Sequence, residues 1–395
     1  NSKKFETYSA GVAVSGTLSI DTGNITGNDG AKLKLGTSDD IELYHQSNIS
    51  NIIDNYGDLR IKTNTLRLQR LAGGQNYMYA VEGGAVNLYH AGSQKFATTS
   101  TGIDVTGDVI SDNLPGRNII INGDMRVAQR GTSASYSSSA TAILACDRWN
   151  LASNGSTGTV ARVEESPNNE FKYSLKATNT NPVGSIAAGN IFSFQYSVER
   201  QDIKRLAYGT SSAKKATLSF WVRGSLSGKI GVKCDRNSRI FSTGVDITAN
   251  TWQFVEVLIP ADTSTAISGT DYDVGFYINI TAGAGSNYTS GATGGGWISF
   301  HTAYTAGFTA GQQGAYLTTN NATFQITGVQ FEIGSKATPF EHRSISNELS
   351  RCQRYFYALN NSNSVYYWFH PIDTSSNYRR LSIRFPTTMR TAPTA

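Results

Sequence analysis

The sequence predicts an all-β protein of four parts. These are a trimeric fibre shaft of short β repeats over 1–113, an antiparallel β-sandwich of jelly-roll type over 114–340, a short helix within 341–357, and the start of a further, truncated β region over 358–395. Three observations predict it. Charged residues are only 16% of the 395, while glycine alone contributes 39. Exchanging Lys and Glu for Gly, Ser, Thr and Asn removes good helix formers and adds turn and strand residues. The N-terminal part repeats itself, and the rest alternates apolar and polar residues in short runs between polar loops.

The shaft follows from the repeat. Lys4–Gly16 returns as Lys95–Gly107 at an offset of 91 residues, identical at Lys, Phe, Thr, Ser, Gly, Val and Gly. Glu42-Leu43-Tyr44-His45 is echoed by Asn87-Leu88-Tyr89-His90 at half that distance. Between them lie alternating runs such as Ala31–Leu35, Leu59–Lys62 and Thr65–Gln69, cut by Gly, Asn and Asp. Each run buries two or three side chains at most, so it must stack on neighbours or on other chains. One period is too little for a single-chain solenoid. Several identical chains around one axis bury the apolar face and hide the strand edges. The opening residues repeat the end of a unit, so the molecule is expected to begin further upstream.

Asn113–Gly116 reads as the linker. Nine strands are expected beyond it: Gly158–Glu164, Phe171–Lys176, Ile191–Val198, Ala216–Arg223, Lys229–Cys234, Trp252–Ile259, Asp273–Ile280, Gly296–His301 and Ala322–Ile333. Alternation is clearest at Leu218/Phe220/Val222 and at Phe324/Ile326/Val329, where Gly328 marks a bulge. A short helix is expected at Glu199–Tyr208. A better one follows Ser344–Ser346, capped by Ser346, with Glu348 in its first turn and Leu349, Cys352 and Phe356 on one stripe. Strand pattern resumes at Val365–Phe369 and Leu381–Phe385.

A resemblance joins these parts. Asp39–His45 and Lys95–Gly107 look like the repeats of tail-fibre proteins of marine bacteriophages, cyanophages among them. Asn118–Thr132 is similar to the opening of a common phage fibre module. The closing signature of that module resembles Gly328–Gly334, Ala337–Glu341 and Glu348–Tyr355, with Asp147-Arg148-Trp149, Leu218–Val222 and Thr251-Trp252-Gln253 in order between them. The resemblance implies a virion structural protein, assembled in the host cytoplasm. It implies a homotrimer that meets other phage tail proteins and attaches to a host-surface glycan or lipopolysaccharide. A capsid fibre or spike, or a purely structural fibre segment, is the alternative, and a polysaccharide depolymerase is the next.

Charge and chemistry narrow the function. Residues 1–113 hold 9 Lys/Arg against 12 Asp/Glu, whereas 114–340 hold 18 against 14 and 341–395 hold 7 against 3. The basic pairs Lys214–Lys215 and Arg379–Arg380 make no stripe of the kind that binds nucleic acid. No run reaches the ~18 apolar residues of a membrane helix. The three cysteines, Cys146, Cys234 and Cys352, lie far apart without metal-ligand spacing, and read as buried free thiols. No nucleophile elbow, phosphate-binding loop or zinc motif occurs, so no catalytic residue, metal ligand or cofactor is assigned. A depolymerase would need two carboxyls across a sugar, and Glu164, Glu165, Asp271 and Asp273 are the candidates.

Aromatic residues carry the binding expectation, because sugars stack their apolar faces on rings and hydrogen-bond around them. Trp149, Trp221 and Trp252 read as core. The segment Asp271–Tyr316 differs, with rings set in uncharged Gly/Ala/Ser/Thr/Asn loops suited to adaptable contacts. Tyr288, Trp297, Tyr304 and Phe308 are its candidate ligand-binding residues, facing either a sugar or a neighbouring subunit.

Overall fold

A computed structural model describes residues 5–8, 11–14, 28, 30–35, 41–55, 57–107, 115–143, 145–236, 239–264, 269–289, 296–299, 314–357 and 384–392. The chain forms two compact units, Asn1–Gly107 and Asp108–Ala395. Every strand pairing in both is antiparallel.

In the first unit, strands adjacent in sequence are adjacent in the sheet. β1 (Phe5–Tyr8) and β2 (Gly11–Val14) form a hairpin, and β3 (Lys32–Leu35), β4 (Ile41–Gln46) and β5 (Ile49–Asp54) form a three-stranded sheet. β6 (Thr65–Gln69), β7 (Asn76–Val81), β8 (Val86–His90), β9 (Ser93–Thr99) and β10 (Gly102–Val105) form a five-stranded meander. The repeat seen in the sequence is a repeat of structure. Phe5 pairs with Val14 and Tyr8 with Gly11, and 91 residues later Phe96 pairs with Val105 and Thr99 with Gly102. The β4–β5 turn puts Ser47 and Asn48 at positive φ, the mirror-image turn whose twist matches that of the strands. Leu59–Lys62, expected to be a strand, is not one, and Leu59 and Ile61 stand exposed.

Among the described residues, the three- and five-stranded sheets bury almost nothing. Leu33, Leu43 and Ile52 sit side by side across β3–β5, with 53%, 37% and 60% of their surface exposed. Leu68, Met78, Leu88, Phe96 and Val105 form a continuous row across the five-stranded sheet. Within the unit, Ala97 is the only apolar side chain described as buried. Exposed apolar rows of this length are uncommon on a chain that stands alone.

The second unit is a β-sandwich. Its strands are β11 (Ser133–Tyr136), β12 (Ser139–Ile143), β13 (Trp149–Asn154), β14 (Thr157–Val163), β15 (Ser174–Asn181), β16 (Ile191–Glu199) and β17 (Ala216–Gly224). They continue with β18 (Gly228–Arg236), β19 (Arg239–Ile247), β20 (Gln253–Ile259), β21 (Val274–Ala284), β22 (Ile298–Ser299) and β23 (Ala322–Ile333). One sheet has six strands in the order β11-β14-β15-β23-β17-β20, the other seven in the order β12-β13-β16-β21-β18-β19-β22. The chain crosses between sheets repeatedly, as jelly-roll connections do. Phe192, Phe194 and Tyr196 of one sheet meet Phe220, Phe324 and Phe331 of the other in a single core. Four strands escaped the sequence: β11, β12, β13 and β19. Their Ser, Thr and Asn content, and Gly244 within β19, blur the alternation. The strand expected from Phe171 begins at Ser174.

Helices are few. α1 (Arg200–Ile203) leads into a tight turn at Lys204–Leu206, and α2 (Ser286–Thr289) and α3 (Ala315–Thr318) are single turns. α4 (Ile345–Gln353) is capped by Ser344, not Ser346: Ser344 Oγ accepts from the Asn347 amide at 3.3 Å. Cys352 is buried against Ile121 and Val127, with Leu349 and Tyr355 beside it. All three cysteines are free and buried, and burial raises each thiol pKa well above its ordinary value. The expected strands at Val365–Phe369 and Leu381–Phe385 fall wholly or mostly outside the described residues.

Candidate functional site

The motif residues of the second unit bind one another rather than a ligand. Asn122 Nδ2 donates to the Val127 carbonyl at 2.8 Å and the Asp147 carbonyl at 2.9 Å, and Trp149 Nε1 donates to the Asn122 carbonyl at 3.0 Å. The Glu348 carboxylate accepts from the Asn122 amide, and Arg343 donates to the Ile120 and Asn118 carbonyls. Glu341 accepts from the amides of Gly116 and Asn118 at 2.8 and 2.6 Å. Burial alone would raise the Glu341 pKa, but these bonds and Arg343 outweigh it and hold it below the usual value. Opening and closing signatures thus lock together, which is a structural reason for their residue types.

Functional groups must therefore be sought where side chains face outward. In β17, Leu218, Phe220 and Val222 point into the core, so Trp221 points out. In β20, Val255, Val257 and Ile259 point in and Phe254 points out, 49% exposed. Trp221 and Phe254 pair across the strands with ring centroids 5.4 Å apart. Trp221 and Trp252 are half-buried rather than core, whereas Trp149 is fully buried as expected.

A wall rises over this platform. Phe171 and Phe340 pack edge to face at 5.2 Å, with His342 5.0 Å from Phe340. Sheet residues hold the wall in place. Glu332 accepts from the Thr338 amide at 2.9 Å and from its hydroxyl at 2.6 Å. Gln330 donates to the Thr338 carbonyl at 3.0 Å and accepts from the Glu341 amide at 2.8 Å. On the other side Thr327 Oγ1 donates to the Tyr173 carbonyl at 2.6 Å. Gly328 makes the close fit possible. It is the extra residue of a bulge opposite Phe220, at φ +60°, where a Cβ would stand 2.7 Å from Phe171 Cζ and 3.2 Å from Trp221 Cδ1.

The result is a cleft of about 230 Å³ lined by Phe171, Trp221, Phe254 and Phe340, with Ser219, Thr338 and Glu170 at its edges. Glu170 Oε1 lies 3.1 Å from His342 Nε2. Aromatic faces beside hydroxyl and carboxylate groups suit a ligand with apolar patches and many hydroxyls. The outward side of the seven-stranded sheet is different: Ser193, Thr281 and Asn279 are buried there, and Thr281 Oγ1 donates to Ser193 Oγ at 2.9 Å.

Of the four residues singled out in the sequence, Trp297 and Tyr288 are described, and they pack against different clusters. Trp297 is built into the sandwich end, donating to the Pro260 carbonyl at 2.7 Å and packing on Tyr208, Phe241 and Phe276. Tyr288 is half-buried on Ile191 and Ala284, and Tyr304 and Phe308 lie outside the described residues. The candidate carboxyls are paired. Glu164 lies 3.4 Å from Lys172, Asp271 meets Lys204, and Asp273 meets Arg200 at 3.2 Å. Lys176 bonds Glu165 and holds its pKa below the usual value against the effect of burial. A general acid needs the opposite shift.

No protein-family profile matches the sequence, and no curated protein matches it. Solved structures do show likeness. One is the enzymatically active domain of bacteriophage CBA120 tailspike protein 4, at 13% identity and TM-score 0.27, over 47% of this chain and 19% of that one. The chain thus spans about a fifth of the tailspike's length. A putative sugar binding protein from Bacteroides thetaiotaomicron shares 12% identity at TM-score 0.29, over 55% of this chain and all of that one. A family 11 carbohydrate-binding module from Clostridium thermocellum, solved with a β-1,3-1,4-mixed-linked tetrasaccharide, shares 11% at 0.26 over 53% and 99%. Likeness at this level carries nothing about ligand or site.

Proposed function

We propose that the chain is part of a bacteriophage tail fibre, a homotrimer in the virion that attaches the phage to its host by non-covalent, multivalent glycan binding. Its assembly partners are other tail proteins, and its target is a surface glycan or lipopolysaccharide. The observation that carries the glycan reading is the cleft of Trp221, Phe254, Phe171 and Phe340. Each site is weak alone. Three sites on one fibre, and several fibres on one particle, raise avidity by orders of magnitude without any new contact. The sugar is held and not cleaved, so incubation with polysaccharide releases no new reducing ends.

The fibre reading rests on the first unit. Its repeated hairpin and uncovered apolar rows are what one strand of a multi-chain shaft presents. Three copies around an axis bury the Leu33–Leu43–Ile52 and Leu68–Val105 rows against each other. Light scattering of the full chain is expected to give three times the mass of one, and crosslinking to give a trimer band. A stable monomer at micromolar concentration contradicts the shaft. Retention on extracted bacterial surface polysaccharide, compared with neutral hexose oligosaccharides, tests the glycan reading separately.

A further inference from the structure

We propose that the groove between the end of α4 and residues 385–392 is a second saccharide site, one that takes an acidic sugar bearing a carboxylate or phosphate. The groove has a volume of about 420 Å³, and Arg130, Arg354, Arg390, Phe356, Tyr357 and Phe385 border it. With Tyr355, three guanidiniums and four rings meet there, and the guanidiniums differ in how their charge is met.

Arg354 is neutralised, donating through Nε and Nη2 to the two oxygens of Glu199, each at 2.9 Å. Among the described residues no carboxylate is bonded to Arg130, which lies 3.7 Å above the Phe356 ring. The nearby Asp147 carboxylate is instead taken up by Gln129, through its amide at 2.8 Å and its side chain. The Arg390 guanidinium donates to the Tyr272 carbonyl at 3.2 Å, a neutral acceptor. The backbone of this wall is fixed, because the Arg390 amide donates to the Arg354 carbonyl at 2.9 Å and Arg354 Nη1 to the Thr388 carbonyl at 3.2 Å. Two guanidiniums therefore face one groove with donors to spare, and a planar or tetrahedral anion is the group that forked donors fit.

The rings decide what carries the anion. Tyr357 and Phe385 stand edge to face at 6.0 Å, and Phe385 is exposed. A bare inorganic ion uses the guanidiniums and leaves the rings wet. A pyranose acid uses both, stacking its apolar face while its charged group reaches the arginines. The site stands apart from the aromatic cleft and does not depend on it.

The test is calorimetric titration of the full chain with trigalacturonate, galactose 6-phosphate, neutral galactotriose and inorganic phosphate. At least one acidic sugar is expected to bind tenfold or more tightly than galactotriose and inorganic phosphate. Carboxylate against phosphate preference then identifies the acid. Arg130→Gln and Arg390→Gln are each expected to weaken acidic-sugar binding by roughly tenfold, while retention of neutral surface glycan stays as in the unsubstituted chain. That last readout separates failure here from failure of the cleft. Equal binding of acidic and neutral sugars overturns the proposal, as does acidic-sugar binding that survives in the double variant or is matched by inorganic phosphate. Melting curves check that the variants fold. Should the double variant not fold, acidic-sugar binding by the unsubstituted chain must weaken as salt rises from about 50 to 500 mM, and insensitivity to salt rejects the site.

Discussion

Trp221→Ala is expected to lower affinity for the host glycan by roughly 30-fold, since truncating a central aromatic anchor costs about 2 kcal/mol or more. In the proposed trimer the loss is expected to be compounded, because each fibre would present three copies. Stability should move by only about 1 kcal/mol. Trp221 lies on the outer face of the sheet, half-buried, and rests on Phe254 and Gly328 rather than in the core. Trp221→Phe keeps a ring over the cleft and should retain much of the binding. Adsorption to immobilised surface polysaccharide, read beside melting temperature, separates the two effects. An unchanged affinity with an intact fold would remove the cleft from recognition.

Asp262→Asn should give the largest loss of stability. The Asp262 carboxylate accepts from Arg236 Nη2 at 2.5 Å and from Arg239 Nε at 3.1 Å, with the Ser264 amide at 3.1 Å. Arg236 is fully buried, beneath the rings of Tyr208 and Trp297. Removing the anion leaves that guanidinium inside the fold without its counter-charge, a change that costs about 3–5 kcal/mol. For a unit of this size the melting temperature should fall by roughly 10 °C. Arg236→Met added to Asp262→Asn should recover part of the loss.

The same cluster sets an acid limit. Burial alone would raise the Asp262 pKa, but the bonds from Arg239 and Ser264 and the charge of Arg236 outweigh it and depress it. A carboxyl whose folded pKa lies below its unfolded value, near 3.9, stabilises the fold above that value. Its contribution is lost as pH falls through the folded pKa, so the unfolding free energy should decline below about pH 4 and hold steady above it. Melting curves of Asp262→Asn should lack this part of the decline.

Much of the fold was legible because local pattern and tertiary role agree. The 91-residue repeat forms the same hairpin twice, β23 runs from Ala322 to Ile333, and Gly328 is a bulge. Trp221 was misread for an identifiable reason. A large ring in a strand suggests burial, yet the inward set Leu218, Phe220 and Val222 already assigns position 221 to the opposite face. That signal was available and outranks ring size. The rest of the cleft was not available, because Phe171 and Phe340 meet only through the order β15-β23-β17 and the loops that β23 anchors. Trp297, in the expected strand Gly296–His301 between glycine-rich loops, reads as a candidate ligand-binding ring. Its indole bond to Pro260, from across the sandwich end, has no trace in local sequence.

The central claim is that sugar lies on the outer face of the six-stranded sheet. Hydroxyl-radical footprinting with mass spectrometry, with and without saturating surface polysaccharide, tests it residue by residue. Polysaccharide should protect Trp221 and Phe254 and leave Tyr288 and the buried Trp149 at their unliganded reactivity. Protection at Tyr288 or Tyr277 with Trp221 and Phe254 unchanged would contradict the claim and move the site to the other sheet.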